Sequence, residues 1–285
     1  MRELRLADGP LEAVLLPDAG ARLHRIGAFG VDLLRTPDDP ATHLSDPFFW
    51  GAYVMAPWCN RLSAAPTRVG RHVVDLAPNF PDGTAIHGQV ASTPWTVDAD
   101  GTTCRVVAGA DGWPWSYEVA MVVSVAAAVL SVGLTLTNRS TKPMPAGVGI
   151  HPWWRRPVAI AVPASRVYPS NTSASARSVQ VAGDYDLREL AEPPPNLDAT
   201  WTDLGQPTIE LEWPDDGIHA TLRLSADADH VAVATPPDLP AIAVEPQTHA
   251  PDGLGRLLRG ERGGLRLLQP GEDTRFDLGL SVRRT

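Results

Sequence analysis

The chain has 285 residues, of which 44% are hydrophobic and 20% are charged, and this composition excludes a disordered polypeptide. The formal net charge of −9 argues against a nucleic-acid partner, because binding to phosphate backbones requires clustered cations. The 24 glycines and 28 prolines are spread along the whole chain, which indicates many short strands separated by turns.

The first residues give no sign of a secretion signal or a membrane anchor. The segment MRELRLADGPLEAVLL carries charges throughout, and the longest apolar run, residues 119–132, is interrupted by serines. Cys59 and Cys104 fit neither a metal-binding nor a redox spacing, so we expect unpaired thiols in a reducing compartment. We therefore predict a cytoplasmic protein without a membrane partner.

Alternation of apolar and polar residues predicts strands with one buried face. It occurs at residues 129–138, at residues 219–225, where Ala220, Leu222 and Leu224 are apolar, and at residues 276–282. The Pro-Gly-Glu-Asp turn at 270–273 lies between two apolar runs and predicts a hairpin of the last two strands. No segment shows a sustained helical period. The sequence predicts an all-β, mostly antiparallel sandwich in one domain over residues 1–285.

Two motifs in the first third of the chain contain candidate binding residues. In APWCNRLSAAP, Arg61 follows Asn60 among small and apolar residues and offers a rigid fork of donors to hydroxyls or to a carboxylate. In GTAIHGQV, His87 precedes a glycine that permits close approach of a ligand. A structural salt bridge for Arg61 and a structural histidine in a turn for His87 are equally compatible with these patterns.

The segment GVGIHPWWRRP, residues 147–157, combines a titratable ring with two tryptophans. His151 precedes a proline and is held in extended backbone, so His151 and Trp153 are expected on the same side of a strand. A histidine beside an indole face suits a pocket that binds a sugar ring and exchanges a proton. The alternative is a hydrogen-bonded core histidine between packing tryptophans. Arg155 and Arg156 are candidates to contact an anionic group of a substrate, although solvated arginines explain them as well.

The segment IAVEPQTHAPDG contains the second titratable candidate. Ile242 and Val244 indicate the buried side of a strand, which turns Glu245 to the opposite face. Pro246 fixes Glu245 in extended geometry and removes a ladder donor, so we expect the carboxylate at a strand end, facing a cleft. A solvated carboxylate at a sheet edge is the alternative.

Other catalytic motifs are absent from the sequence. It contains no G-x-S-x-G nucleophile elbow, no Walker loop and no H-E-x-x-H helix. His87, His151 and Glu245 together form a donor set known from catalytic zinc sites. Nothing in the local sequence supports a metal there, and we expect no cofactor.

Taken together, these stretches resemble the aldose 1-epimerase (galactose mutarotase) family. The matching segments are NRL (60–62), AIHG (85–88), GWPWSYE (112–118), NRSTKPMPAGVGIHPWW (138–154), VEPQT (244–248) and LQPGE (268–272). They occur in the family's order and extend over nearly the whole chain. The resemblance implies a large antiparallel β-supersandwich of the galactose mutarotase type, and a small-molecule sugar as the partner.

The resemblance also implies roles for individual residues. His151 corresponds to the general acid and Glu245 to the general base, while Arg61 and His87 correspond to residues that position the substrate. Asp198, in NLDATWTDL, is the best match for the aspartate that holds sugar hydroxyls.

We also expect Asn60 and Trp153 at the sugar. The family's common H-P-Y-F is H-P-W-W here, so the preferred sugar is not fixed by the resemblance.

Interconversion of α and β anomers explains why an acid and a base are needed. The C1 hydroxyl loses a proton while the ring oxygen gains one, the ring opens to an aldehyde, and the hydroxyl adds again to the other face of C1. We therefore expect His151 and Glu245 on different sides of one sugar, with His151 protonated when the sugar binds. The reaction requires neither a metal nor a nucleotide.

Two other functional classes remain open at this stage. A glycoside hydrolase requires two carboxylates flanking one bond, for which Glu245 and Asp198 are candidates. A carbohydrate-binding module without catalysis retains the tryptophans and Arg61 but needs no His–Glu pair. The sequence does not distinguish a free hexose from an anionic one, and it gives no indication of the oligomeric state.

Overall fold

The computed structural model describes residues 1–172 and 177–285, and strands dominate these ranges. In chain order the strands are β1 (Leu4–Asp8), β2 (Leu11–Leu16), β3 (Arg22–Ala28), β4 (Val31–Asp32), β5 (Ala52–Met55), β6 (Arg61–Leu62), β7 (Thr67–Val69), β8 (His72–Val74), β9 (Ala85–Ile86), β10 (Thr96–Val97), β11 (Thr103–Ala110), β12 (Trp113–Ala126), β13 (Val129–Asn138), β14 (Met144–Ala146), β15 (Gly149–Arg155), β16 (Ala159–Ala161), β17 (Ala164–Tyr168), β18 (Val179–Gln180), β19 (Asp198–Leu204), β20 (Thr208–Trp213), β21 (Ile218–Leu224), β22 (His230–Ala234), β23 (Ala241–Gln247), β24 (Arg266–Leu268) and β25 (Asp273–Arg284). The helices are α1 (Thr42–Ser45) and α2 (Gly253–Arg259), with 3-10 turns at Pro17–Ala19, Gly183–Tyr185 and Pro214–Asp216.

Two large antiparallel sheets form the sandwich. The large sheet has eleven strands in the order β1-β2-β3-β5-β15-β23-β22-β19-β17-β18, with β4 paired to β3. The second sheet has eight strands in the order β10-β11-β12-β13-β25-β21-β20-β16. Three short ribbons, β14-β24, β6-β9 and β7-β8, complete the described strands. The predicted all-β, mostly antiparallel sandwich is confirmed.

The predicted alternation matches the burial of the second sheet. In β13, Leu130, Val132, Leu134 and Leu136 are buried, whereas the residues between them are half-buried or exposed. The same period holds in β21 and in most of β25. Strands with one apolar face form this sheet because that face packs against the large sheet and the other meets solvent.

The central strands of the large sheet are buried on both faces. Ile150 and Val244 belong to the main core between the two sheets, whereas Trp153 and Ala243 belong to a smaller cluster on the opposite side. We call these two sides the core face and the cavity face of the large sheet. On the cavity face, loops cover the sheet and enclose the site described below.

The structure corrects the predicted C-terminal hairpin. The turn is present, with the Glu272 N–H donating to the Gln269 carbonyl oxygen, but β24 pairs with β14 and not with β25. Both edges of β25 are occupied, by β13 on one side and by β21 on the other. The turn therefore carries the chain from a short ribbon into the middle of the second sheet.

Helical structure is limited to short segments, and α2 occupies the GLGRLLRG stretch for which no helix was predicted. Within residues 1–172 and 177–285, no helix is long and apolar enough to cross a membrane.

Candidate active site

Three adjacent strands of the large sheet place the titratable candidates side by side. In the register of β15 with its neighbours, His151 lies opposite Tyr53 of β5, and Gly149 and Trp153 lie opposite Gln247 and Ala243 of β23. Because side chains alternate along a strand, this register directs His151 and Glu245 to the cavity face together. The register thus joins residues that are far apart in the sequence.

A glycine makes this close packing possible. A Cβ atom at Gly149 would lie 2.8 Å from the Gln247 Cβ and 2.9 Å from the Cys59 sulfur. Any larger residue would therefore push β15 away from β23 just before His151.

All of the predicted site residues line one cavity of about 360 Å³. This volume lies in the range of small-molecule sites, roughly 300–1,000 Å³. The predicted residues in its wall are Asn60, Arg61, His87, His151, Trp153, Asp198 and Glu245. The structure therefore brings together the five sequence stretches that contain them.

His151 and Glu245 contact each other directly, which corrects the expected arrangement. The His151 Nε2 atom lies 3.2 Å from Glu245 Oε1, and the two residues are 4% and 3% exposed. They therefore approach a ligand from one side and not from two. One side is sufficient for anomer exchange, because the ring oxygen and the C1 hydroxyl are both bonded to C1.

The backbone around Glu245 also differs from the expectation. Strand β23 continues through Pro246 to Gln247, and Val231 of β22 lies opposite Pro246. Glu245 is thus buried within a central strand, which rules out the solvated edge carboxylate. Its Oε2 atom is buried without a hydrogen-bond partner among the described residues, so it is available to a ligand.

Burial disfavours the charged forms of both members of the pair. Desolvation, with a contribution from the Asp198 charge, raises the pKa of Glu245 to about 8. Desolvation also lowers the pKa of His151 to about 3, and the Arg22 charge acts in the same direction. Both shifts favour the neutral forms of the free pair, a carboxylic acid beside a neutral imidazole. This differs from the protonated His151 expected for the sugar-bound state.

Aromatic rings enclose His151. The Tyr53 ring stacks on it at 4.5 Å between centroids, and the Trp153 ring lies 5.0 Å away. The Trp153 indole N–H donates to the Phe48 carbonyl oxygen at 2.6 Å, so Trp153 offers only its apolar face to a ligand. An apolar face of this kind suits the C–H surface of a sugar ring.

Asn60 and His87 are fixed to each other by their backbones. Both residues have left-handed backbone angles, with φ of 55° and 59°. The His87 N–H donates to the Asn60 carbonyl oxygen, and the Asn60 N–H donates to His87 Nδ1 at 3.3 Å. Burial keeps the pKa of His87 well below its ordinary value, so the neutral ring carries its proton on Nε2. That N–H is a donor suited to a sugar hydroxyl.

Arg61 is both a member of an ion pair and part of the cavity wall. Its Nε lies 2.7 Å from Asp82 Oδ2, and its Nη1 lies 3.3 Å from Asp198 Oδ2. Asp198 Oδ1 in turn accepts a hydrogen bond from the Asn171 amide at 2.7 Å. The two carboxylates hold the guanidinium in a fixed orientation near the His151–Glu245 pair.

Arg155 and Arg156 lie outside the cavity wall. Arg155 pairs with Asp216 and donates to the Asp32 carbonyl oxygen, and Arg156 pairs with Glu192 at 3.3 Å. Neither side chain contacts a ligand in this cavity.

The zinc-type donor set is also assembled. One ligand atom from each of His87, His151 and Glu245 lies within 4.8 Å of the other two. Two neutral imidazoles and a carboxyl group are donors that zinc accepts. The same three groups are equally suited to hydrogen bonds with two adjacent sugar oxygens.

Several wall residues were not identified from the sequence. Tyr53 lies in a four-residue strand that gives no periodic signal, and its place behind His151 depends on strand register. Phe48 and Phe49 also line the cavity, together with Phe80. The aromatic run in DPFFWG was a signal that pointed to this wall.

The fold and site define a galactose mutarotase-like β-sandwich, and comparison with solved structures supports this class. A candidate aldose 1-epimerase from Escherichia coli K12 is 21% identical, covers 100% of this chain and 99% of its own, and has a TM-score of 0.85. A galactose mutarotase-like protein from Clostridium acetobutylicum is 18% identical and has a TM-score of 0.82. The match covers 99% of this chain and 95% of that protein. Galactose 1-epimerase from Lactobacillus acidophilus NCFM is 16% identical and has a TM-score of 0.76. The match covers 98% of this chain and 92% of that protein.

A comparison of the sequence with protein-family models identifies the family. Residues 2–281 match the family model described as aldose 1-epimerase, so the chain belongs to the aldose 1-epimerase family. The prediction of an isomerase is confirmed at this level. No curated protein matches the sequence.

Proposed function

We propose that this protein interconverts the α and β anomers of a neutral aldose by acid/base-catalysed ring opening. The observation that carries the proposal is the buried His151–Glu245 pair, 3.2 Å apart, in the wall of a cavity of about 360 Å³. One proton shared by two adjacent groups is what the reaction needs. The ring oxygen receives a proton while the C1 hydroxyl gives one up, and both oxygens are attached to the same carbon.

The proposed reaction leaves the number of protons on the pair unchanged. In the sugar complex the pair's proton passes from Glu245 Oε1 to His151 Nε2. His151 then donates it to the ring oxygen while Glu245 accepts the proton of the C1 hydroxyl, and the C1–ring-oxygen bond breaks to give the open aldehyde. After rotation about C1–C2, the reverse transfers close the ring with the other configuration at C1. Each half-reaction moves the pair's proton between Glu245 Oε1 and His151 Nε2.

The other wall residues hold the sugar in this mechanism. The His87 Nε2–H donates to a hydroxyl, Asp198 accepts from one, and Arg61 donates its free N–H groups. The Trp153 face packs against ring C–H groups. Positioning matters because groups already held in the reactive geometry lose little translational and rotational entropy on reaching the transition state.

The charges around the cavity support a free sugar over an anionic one. Among the described residues of its wall, the cation Arg61 is already paired with Asp198, and also with Asp82 nearby. Glu245 is the second acidic residue of the cavity wall, after Asp198. A phosphate or sulfonate on the substrate would therefore meet two carboxylates for the one guanidinium.

Polarimetry of freshly dissolved α-glucose or α-galactose, with and without the protein, tests the proposed function. We expect faster mutarotation with wild-type protein, and with His151→Asn a rate lower by about 10²–10⁴-fold but with sugar binding retained. A binding module would bind the sugar without accelerating mutarotation, and a glycoside hydrolase would act only on a glycosidic bond. Either result would replace the proposal.

A further inference from the structure

Arg22 lies beneath the cavity and was not among the residues identified from the sequence. It is the first residue of β3 and is fully buried at 0% exposure, which is unusual for an arginine. Its Nη1 donates to the Trp50 carbonyl oxygen at 2.8 Å, and its Nη2 donates to the carbonyl oxygens of Pro47 and Ala91 at 2.7 and 3.1 Å. The fork of donors therefore binds main-chain oxygens on both sides of Phe48 and Phe49, which line the cavity.

The same guanidinium supports the ring behind His151. The Arg22 Cζ atom lies 4.7 Å from the centroid of the Tyr53 ring, within the range of cation–π contacts. The Tyr53 ring stacks on His151 with centroids 4.5 Å apart and an interplanar angle of 21°. Arg22, Tyr53 and His151 therefore form a contiguous series across β3, β5 and β15 on the cavity face of the large sheet.

The charge of Arg22 persists at neutral pH. Burial lowers its pKa only to about 10, and the charges of Tyr53 and Asp46 act in the opposite direction. His43 in α1 adds no charge beside it at neutral pH, because burial lowers the pKa of His43 to about 3. A cation is thus held behind Tyr53 throughout the working pH range.

His151 meets several other titratable or charged groups. Glu245 of β23 contacts it, His87 lies edge-on at 4.9 Å, and Tyr53 of β5 covers its face. Arg61 and Asp198 also line the cavity, and their charges act on Glu245. Arg22 acts on His151 from the remaining side, through the Tyr53 ring.

We propose that Arg22 is a positioning residue of the epimerase site: it fixes the aromatic wall and the Tyr53 ring, and its charge makes protonated His151 a stronger acid toward the ring oxygen. The inference rests on the proposed function, because its role is defined by the acid/base pair. The direction of the charge effect is general, since a nearby cation disfavours protonation of an imidazole. Loss of the charge should therefore raise the pH at which the pair takes up and releases its protons.

Three variants separate the charge of Arg22 from its hydrogen bonds. Arg22→Met removes both, so we expect kcat to fall by about 10- to 100-fold and both limbs of the pH profile to move to higher pH. Arg22→Lys keeps the charge but not the fork, so we expect a higher KM and an unchanged pH profile.

Arg35→Met is the matched control for the loop contacts. Arg35 donates to the Phe49 carbonyl oxygen and stacks on Trp50 at 3.5 Å, so it anchors the same loop. Its side chain contacts the loop, and its backbone N–H donates to the Trp153 carbonyl oxygen, a bond that Arg35→Met keeps. We expect a higher KM for this variant and a pH profile like that of the wild type.

An Arg22→Met profile that matches those of the wild type and Arg35→Met would overturn the proposal and leave Arg22 as a loop anchor. If Arg22→Met does not fold, Arg22→Gln takes its place, since it keeps amide donors for the carbonyl oxygens without the charge. NMR titration of the His151 ring in each variant tests the charge effect without turnover. Failure of the wild type to accelerate mutarotation would instead refute the proposed function.

Discussion

Trp153 and Trp154 are neighbours in the sequence and equally buried, at 3% and 1% exposure, but they serve opposite faces of β15. Trp154 packs in the core between the sheets, with Trp213 at 5.9 Å between ring centroids. Trp153 belongs to the cavity face, beside Phe49 at 5.9 Å and His151 at 5.0 Å. The comparison shows that burial alone does not distinguish a core residue from a site residue.

The two faces differ in their polar content. The core face presents Ile150, Val244 and Trp154, and the one polar group among these side chains is the Trp154 indole N–H, which is buried without a partner among the described residues. The cavity face presents His151 and Glu245 on the same strands, with Glu245 Oε2 and His151 Nδ1 lacking partners among the described residues. The unpartnered atoms of the cavity face belong to ionisable groups that line a cavity, so a ligand there can complete their hydrogen bonding.

The largest expected effect comes from the cavity face. Glu245→Gln keeps the shape of the side chain but cannot accept the C1 hydroxyl proton, so kcat should fall by about 10²–10⁴-fold. The melting temperature should change little, because the amide replaces a carboxyl group that is protonated at neutral pH. Polarimetry and thermal denaturation measure the two quantities. Full activity in this variant would remove Glu245 from the mechanism.

Alanine at each tryptophan tests the comparison directly. Trp154→Ala opens a cavity between the sheets and should destabilise the protein by about 3–5 kcal/mol. Trp153→Ala should instead raise KM by about tenfold, with a smaller loss of stability, because its face borders space that water can fill. Urea unfolding and steady-state kinetics distinguish the two. Equal stability losses with equal KM values would contradict the division into two faces.

Arg61 tests whether an ion-paired residue on the cavity face acts on the substrate. Arg61→Ala should raise KM by about tenfold because a donor to the sugar is lost. Arg105→Ala is the control, since Arg105 pairs with Asp98 and Glu118 in a largely exposed position, where such pairs contribute roughly 0–1 kcal/mol. If Arg61→Ala lowers only the melting temperature, the structural salt bridge is its sole role.

The pH profile sharpens the account of the shared proton. As pH rises through the raised pKa of Glu245, about 8, the pair loses its proton and kcat/KM should decline. As pH falls toward the lowered pKa of His151, about 3, the pair gains a second proton and activity should decline again. Initial rates across this range measure both limbs. An alkaline limb near 6.5, the ordinary pKa of histidine, would show that His151 titrates alone.

The smallest expected effect is that of metal removal. A chelator should leave mutarotation unchanged, because the proposed proton transfers involve only His151, Glu245 and the sugar. Added zinc should inhibit in competition with the sugar, because His87, His151 and Glu245 offer it three donors. Activity lost with chelator and restored by zinc would establish a metal-dependent reaction.

Much of the fold was predictable because it depends on local patterns. The alternation in β13, β21 and β25 gave strands and buried faces, and the spread of Gly and Pro gave an all-β class. The hairpin was wrong because pairing depends on which sheet edge is free, and both edges of β25 are taken by distant strands. The single domain over residues 1–285 and the cytoplasmic location stay predictions.

The candidate site was predictable as a set of residues but not as a geometry. Motifs and their resemblance to a family named His151, Glu245 and Arg61, and these residues share a cavity. Separation in sequence suggested an acid and a base on opposite sides, whereas strand register places them 3.2 Å apart. Tyr53 and Arg22 act through packing across strands, and no local sequence pattern reports such contacts.

The reciprocal bonds between Asn60 and His87 have a consequence for engineering a new sugar preference. Both backbones occupy a region that asparagine and histidine tolerate but that β-branched residues avoid, at a cost of roughly 1–3 kcal/mol for each strained residue. Combinatorial libraries that randomise these two positions would therefore consist largely of misfolded clones. Diversity is better placed in the phenylalanines that line the cavity, Phe48, Phe49 and Phe80, none of which has a left-handed backbone, so changes of side-chain volume reshape the space for the sugar without backbone strain.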